Sequence, residues 1–467
     1  MEALKRLFSS WRATGPERVP TDTVIPLFDL DDNQTNRNLA FELTMQFDED
    51  EGKLEYHVQA EFTKERPPIN FTKAAYEISV SEHPVTAKMP RGRGKLEAFD
   101  VSEPLSDALQ LKDNTRVLAD WINTDVAQLG LHACTFTDAT FVTVMWLHTL
   151  LDAMGRRALF KAWTAVLEGR DDDVPSFAGY DSNPLAPLGA PPSPPTSPGG
   201  TPPKLEPHVL APNLLRGLGF LRFVLNMIWE VHFHPTEAGR MICMPASYLS
   251  ALRARAFADL TTLPASQVTL NASTGKPFLS DGDILCAWLT QLLARANPLP
   301  GHHLSSVPHP TPEYIANCAC AISSLFTMKD FIALPLGHIA ARLRRSKNGS
   351  VAPTLFSTRN ISLSAFTNWA KARLFETDFS AAIVREATVR DAVVKEVGSM
   401  GKRGRPVYIH PRSTAGKGFS VRGSGSCVGV DGEGNVWLGC VVRGLFGGSV
   451  DRLVEEAGRE TDRERGG

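Results

Sequence analysis

His148 and Asp152, spaced as His-Thr-Leu-Leu-Asp, are the residues of this chain best suited to proton transfer. A neutral imidazole titrates near physiological pH, so His148 can act as a general base on a hydroxyl or amine as that atom attacks an electrophile. The spacing alone carries little weight, because the chain holds 12 histidines and ordinary composition yields roughly 0.6 such pairs by chance. His132, six residues before Asp138, is a competing pair, and on residue type alone a packed structural histidine is the simpler account. What favours His148 is its setting between two regular elements, where a rigid scaffold presents side chains to a cleft. No Ser or Cys stands in a nucleophile motif, which favours direct transfer over a covalent intermediate. The pairs His232-Phe-His234 and His302-His303 lack the rest of a ligand set, there is no Cys-x-x-Cys, and no metal is expected.

The elements that must hold His148 are legible on both sides. Residues 139–146, Ala-Thr-Phe-Val-Thr-Val-Met-Trp, are rich in β-branched and aromatic types and predict a buried strand. From Arg156 to Leu167, Leu159, Phe160, Trp163, Val166 and Leu167 share a face at helical spacing, with Gly169 just beyond the end. The local order is therefore strand, turn, helix, and Asp152 also fits an ordinary carboxylate at a helix N-terminus. Further on, Asp283 reads as the N-cap of a core-facing helix running from Ile284 to Leu293. Pro406–His410 and Gly434–Arg443 read as strands.

At 467 residues the chain exceeds the roughly 250–300 residues of a single core, so two domains are expected. The break is the proline-dense stretch 182–207, an extended crossover between a first domain (1–181) and a second (208–454). Residues 455–467 lack apolar anchors and are expected to be disordered. The apolar share of 43%, the charged share of 21% and a net charge of −2 are those of an ordinary soluble protein and exclude a nucleic-acid binder. The basic clusters Arg342-Leu-Arg344-Arg345-Ser-Lys347 and Lys402-Arg403-Gly-Arg405 read as solvated faces or as phosphate contacts. Seven scattered cysteines fit reduced thiols. The amphipathic start is short and acidic, and no apolar run reaches the roughly 20 residues of a membrane span. A cytoplasmic monomer without membrane or nucleic-acid partner is expected.

The segment from Trp146-Leu-His148 through Asp152-Ala-Met-Gly155 to Trp163 and Gly169 resembles the active-site segment of the HxxxD acyltransferases called BAHD, in their fungal secondary-metabolism branch. Three further segments match in order. Ser280-Asp-Gly-Asp283 is similar to the segment that opens the helix after the crossover, and Tyr314-Ile-Ala-Asn317 to an aromatic-x-Gly-Asn site. Thr367-Asn368-Trp369, followed by Asp378-Phe379, resembles the family's Thr-Ser/Asn-Trp strand leading into Asp-Phe-Gly-Trp-Gly. The resemblance implies an α/β fold of two chloramphenicol-acetyltransferase-like domains, with mixed sheets flanked by helices and an active-site channel between them. It implies acyl-CoA, acetyl-CoA first, as co-substrate, a small hydroxylated or amine acceptor, and no bound cofactor. By the same resemblance His148 is the base, and Asp152 turns toward an arginine that fixes the histidine loop. Thr367, Asn368 and Trp369 line the channel, Thr367 or Trp369 donating to the oxyanion. Asp378 and Phe379 shape the fold, and the Arg342–Lys347 cluster meets the 3′-phosphate of CoA.

Two family segments are absent. Between Phe47 and Gly52 only Asp48-Glu-Asp-Glu stands where relatives carry a helix. The Asp-x-Arg segment that supplies the partner of Asp152 is also missing, leaving Arg295 as the nearest substitute, and Ser380-Ala-Ala382 replaces Gly-Trp-Gly. Two alternatives stay open. One is a degenerate homologue with a binding role or no role. The other is a condensation domain for carrier-bound acyl groups, which would carry a second histidine where Leu147 stands.

Overall fold

The computed structural model of the chain describes residues 20–27, 39–40, 46–47, 54–102, 120–121, 124–176, 216–296, 302–306, 322–346, 362–383, 404–411, 414–415 and 422–466. Its strands are β1 (Thr23–Pro26), β2 (Leu39–Ala40), β3 (Gln46–Phe47), β4 (Leu54–Val58), β5 (Ile69–Ala75), β6 (Glu97–Asp100), β7 (Leu129–Thr135) and β8 (Thr140–Met145) in the first half. The second half adds β9 (Glu237–Met244), β10 (His302–Ser306), β11 (Ile322–Phe326), β12 (Ser362–Asn368), β13 (Thr414–Ala415), β14 (Gly425–Val430) and β15 (Val436–Arg443). The helices are α1 (Ala153–Leu167), α2 (Gly217–Phe233), α3 (Ala246–Asp259), α4 (Asp281–Ala296), α5 (Met328–Ala333), α6 (Leu336–Ser346) and α7 (Gly447–Gly466).

The largest sheet has seven strands in the order β11-β10-β12-β14-β15-β9-β6, with β12 parallel to β10 and β14 and the remaining pairs antiparallel. Its middle strands β9 and β15 are buried on both faces. Hence their near-continuous apolar runs, Met241-Ile-Cys-Met244 and Val436-Trp-Leu-Gly-Cys-Val-Val442, in place of alternation. Helices α3, α4, α6 and α7 contribute to one apolar core on this sheet, with Ile284, Ile339 and Val450 wholly enclosed. The turn from β14 to β15 is fixed by Asp431, which accepts hydrogen bonds from the backbone N–H of Asn435 (2.9 Å) and from the indole of Trp437 (2.9 Å). Gly434 supplies the left-handed residue there, at φ 85°.

The first half is thinner. β5 runs parallel to β7, and β7 antiparallel to β8, in a three-stranded sheet; β1, β4 and β3 form a second. The expected strand before His148 is β8, and the expected helix after it is α1, which begins three residues earlier than the apolar face required.

Four expectations are corrected. Ser280, not Asp283, occupies the cap position of α4: Asp283 accepts from the backbone N–H of Ser280 at 2.8 Å while its own N–H donates to the Ser280 hydroxyl at 3.3 Å, a reciprocal box that starts the helix at Asp281. Pro406–His410 joins no strand, although Tyr408 packs on Trp437 at 5.2 Å; Pro406 has no N–H to give a ladder. The tail is not disordered through 466. α7 continues to Gly466, held by Val454 and Ala457 in the core and by the Arg459–Glu455 pair at 3.4 Å. The first half also does not end cleanly, because β6 pairs with β9 and forms the edge of the second half's sheet. The crossover 182–207 lies outside the described residues.

Candidate active site

His148 sits in a tight turn whose flanks are anchored. The Leu150 N–H donates to the Leu147 carbonyl at 3.0 Å, and the Trp146 indole donates to the Leu151 carbonyl at 3.1 Å, closing the loop around the histidine. Leu147, Thr149 and Leu151 are buried, while His148 between them is only partly buried, with its Nδ1 sealed from solvent. Three enclosed neighbours fix the backbone that presents the imidazole.

Asp152 caps α1. Its Oδ1 accepts from the N–H groups of Met154 (2.8 Å) and Gly155 (3.0 Å), so the plain reading of a helix N-terminal carboxylate holds. The arginine that feels its charge is Arg156, one turn along the same helix. Burial lowers the Arg156 guanidinium to about 10, and the charge of Asp152 opposes that shift. Its Cζ stands 5.2 Å from the ring centre of Trp146 and 4.7 Å from that of Trp369, a cation held between two indoles. Nε and Nη2 of Arg156 are buried with no hydrogen-bond partner. Arg295, the substitute suggested by sequence position, is exposed on the last turn of α4. A cation eight residues after the histidine ordinarily reads as solvated; the signal that could have revealed Arg156 is the pair of tryptophans, each beside a motif residue.

Of the residues expected to line the channel, Trp369 is thus brought to the histidine segment, and its backbone N–H donates to the Cys427 carbonyl at 2.8 Å. Thr367 is partly buried on β12, opposite Ser426. Asn368 turns to the start of α4: its Oδ1 accepts from the Ala370 N–H at 2.9 Å, and a Cβ at Gly282 would lie 2.7 Å from its Nδ2. Phe379 packs edge-on against Trp163 (5.0 Å) and Phe160 (6.2 Å) of α1, so this motif buttresses the helix behind the histidine. Asp378 accepts from the Ser380 N–H at 2.9 Å, which holds its carboxyl below the usual range with help from Arg405 at 3.7 Å.

The competing pair comes apart. His132 is buried on β7, 2.7 Å from the Thr72 hydroxyl, and burial lowers its pKa; Asp138 accepts from the Val80 N–H at 2.8 Å. Two members of the basic cluster are engaged internally: Arg342 pairs with Asp330 (3.3 Å) and lies on Phe326, while Arg344 pairs with the fully buried Asp283 (3.0 Å). Tyr314–Asn317, Lys347, Lys402, Arg403 and both sites of absent segments lie outside the described residues. Among the described residues no group of three or more His, Cys, Asp or Glu could hold a metal, and no helix is long and apolar enough to cross a membrane.

The chain is 30% identical to the acetyltransferase sphE of Aspergillus fumigatus, over 91% of this chain and 93% of that protein. It is 28% identical to a protein of Penicillium decumbens named transcriptional regulator calD, over 96% and 99%. Among solved structures it shares the fold of TRI101 from F. graminearum, crystallised with coenzyme A and deoxynivalenol: TM-score 0.53 at 13% identity, covering 92% and 94% of the two chains. No family model matches the chain. The α/β fold is that of a CoA-dependent acyltransferase, and the chain belongs to the fungal BAHD-like acyltransferase family. The two sequence matches run over 522 and 507 positions against a chain of 467 residues, so these relatives carry stretches that this chain lacks.

Proposed function

We propose that this protein transfers an acyl group, acetyl first, from its coenzyme A thioester to a hydroxyl or amine of a small secondary metabolite, with His148 as general base. The observation that carries this reading is the anchored His148 turn, joined to the second half through the Trp146–Arg156–Trp369 stack. With Nδ1 sealed, Nε2 is the nitrogen that takes the acceptor proton. The acceptor oxygen or nitrogen bonds to the thioester carbonyl carbon, giving a tetrahedral oxyanion that needs a donor; the Thr367 hydroxyl and the Trp369 indole N–H fill that role. The carbonyl re-forms as the carbon–sulfur bond breaks, and the imidazolium returns its proton to the departing thiolate, releasing CoA. The two halves, 1–181 and 208–454, flank this site, with donor and acceptor entering a channel between them. Asp152 and Arg156 orient the turn.

A relative named sphE acetyltransferase and a fold neighbour crystallised with coenzyme A support the donor. The absent stretches and a relative named as a transcriptional regulator favour a second reading, a non-catalytic homologue with a binding role. The purified chain, offered acetyl-CoA and a panel of hydroxylated terpenoid, polyketide and alkaloid acceptors, is expected to release free CoA thiol, and His148→Ala to abolish the release. A folded chain that neither binds nor turns over any acyl-CoA selects the second reading.

A further inference from the structure

Arg156 is a charge that the fold buries without neutralising it. The residue is 8% exposed, and among the described residues neither Nε nor Nη2, the two donors on one edge of the guanidinium, meets an acceptor. Burial lowers it to about 10 and Asp152, one helical turn back, opposes the shift, so the cation persists at neutral pH. A buried charge left short of hydrogen bonds is costly to keep, and groups of this kind gather where a site uses them. What this guanidinium does touch is aromatic: the faces of two indoles.

The two rings come from different halves of the chain. Trp146, 5.2 Å away, directly follows β8, and its ring N–H donates to the Leu151 carbonyl at 3.1 Å across the histidine turn. Trp369, 4.7 Å away, directly follows β12, and its backbone N–H donates to the Cys427 carbonyl at 2.8 Å. That backbone bond fixes where Trp369 leaves the sheet and leaves its two side-chain torsions free. A cation over the ring face restricts them. It also draws electron density from the ring, which makes the indole N–H a stronger donor, the more so where water is excluded. A developing oxyanion is stabilised by donors that are aimed before the reaction begins.

Given the acyl-transfer reading proposed above, on which this role rests, we infer that Arg156 is a positioning residue: its guanidinium holds the Trp369 ring and strengthens that indole N–H as donor to the oxyanion. The test is steady-state release of CoA thiol by the full chain, with acetyl-CoA and an acceptor that the parent turns over. Arg156→Met is expected to lower kcat about tenfold while KM for acetyl-CoA stays within about twofold. Trp369→Phe, which removes the donor itself, is expected to cost about 10²-fold. The double variant should be no more than about twofold slower than Trp369→Phe, because the guanidinium acts through the ring. Arg156→Lys supplies a charge that can be titrated. The burial that lowers arginine to about 10 takes a lysine from about 10.4 toward about 8. Its kcat should therefore fall as pH rises from about 7 to about 9 and the ammonium is lost, while the parent, still charged, shows no such fall. A side chain that only fills space gives no such profile. Losses that multiply in the double variant, an Arg156→Met with the parent's kcat, or an Arg156→Lys profile parallel to the parent's each overturn the inference. Unfolding temperatures certify the folds, and if Arg156→Met does not fold, the Arg156→Lys profile decides. A parent that turns over no acyl-CoA overturns the acyl-transfer reading and this role together, whereas an active parent with an unaffected Arg156→Met overturns the role alone.

Discussion

The two sides of the proposed active-site seam are built differently. In the second half every residue of α4 from Asp283 to Ala294 is buried, sheathed by the large sheet and by α3, α6 and α7. In the first half α1 buries only Gly155, Arg156, Ala158 and Ala165. The thinner half carries the histidine and obtains its rigidity from across the seam, where Phe379 props Trp163 and Phe160, and Trp369 faces Arg156. Fold stability is thus concentrated on one side and the proposed base on the other. Damage to the first should unfold the protein; damage to the contacts between them should slow it first.

That division can be broken or sharpened. The largest effect belongs to His148→Ala: a loss of about 10²–10⁴-fold in acyl transfer with an unchanged unfolding temperature, measured by thiol release and calorimetry. Trp437, fully enclosed in the sheet core, comes next. Trp437→Ala is expected to cost about 3–5 kcal/mol in denaturant unfolding, and Trp163→Ala, only partly buried on α1, less than half of that; equal costs would erase the contrast. Arg156→Met, by contrast, removes a buried cation whose desolvation is poorly repaid. Its stability should stay within about 1 kcal/mol of the parent while kcat falls about tenfold, with Arg156→Lys intermediate; a variant that unfolds would make Arg156 a stability residue. Asp152→Ala loses two cap hydrogen bonds and about 1 kcal/mol, read by thermal unfolding. The smallest signal concerns thiols. Burial pushes Cys243, Cys427 and Cys440 up to about 12, so almost no thiolate exists at pH 8, and site-resolved alkylation of the native protein should leave all three unmodified.

The sequence displayed the histidine's setting because β8 and α1 follow their own periodicities, with period 2 giving way to 3.6 at Trp146. It displayed less where one residue type serves two positions. Asp283 fits an N-cap as well as the third residue of a capping box, and only the Ser280 hydrogen bonds separate them. Arg156 was hidden because a helical arginine reads as solvated until an indole from the preceding strand end and another from a distant segment meet it. The apolar run of α2 misleads in the opposite sense: such a run normally announces a core, and here Leu218, Leu225 and Ile228 are exposed. The last helix escaped notice because its apolar anchors, Val454 and Ala457, are sparse among charges.

The edge strand β6 has a consequence for anyone recombining these enzymes. It is translated before the histidine, yet Ala98 lies against Ile242, and Leu96 belongs to the core shared with α7. A chimera cut at the proline-rich crossover would therefore inherit its histidine-bearing lobe from one parent and the final hem of its largest sheet from the same parent, sewn onto cloth from another. Co-expressed halves should reassemble only when both come from one parent, unless residues 96–102 travel with the C-terminal piece.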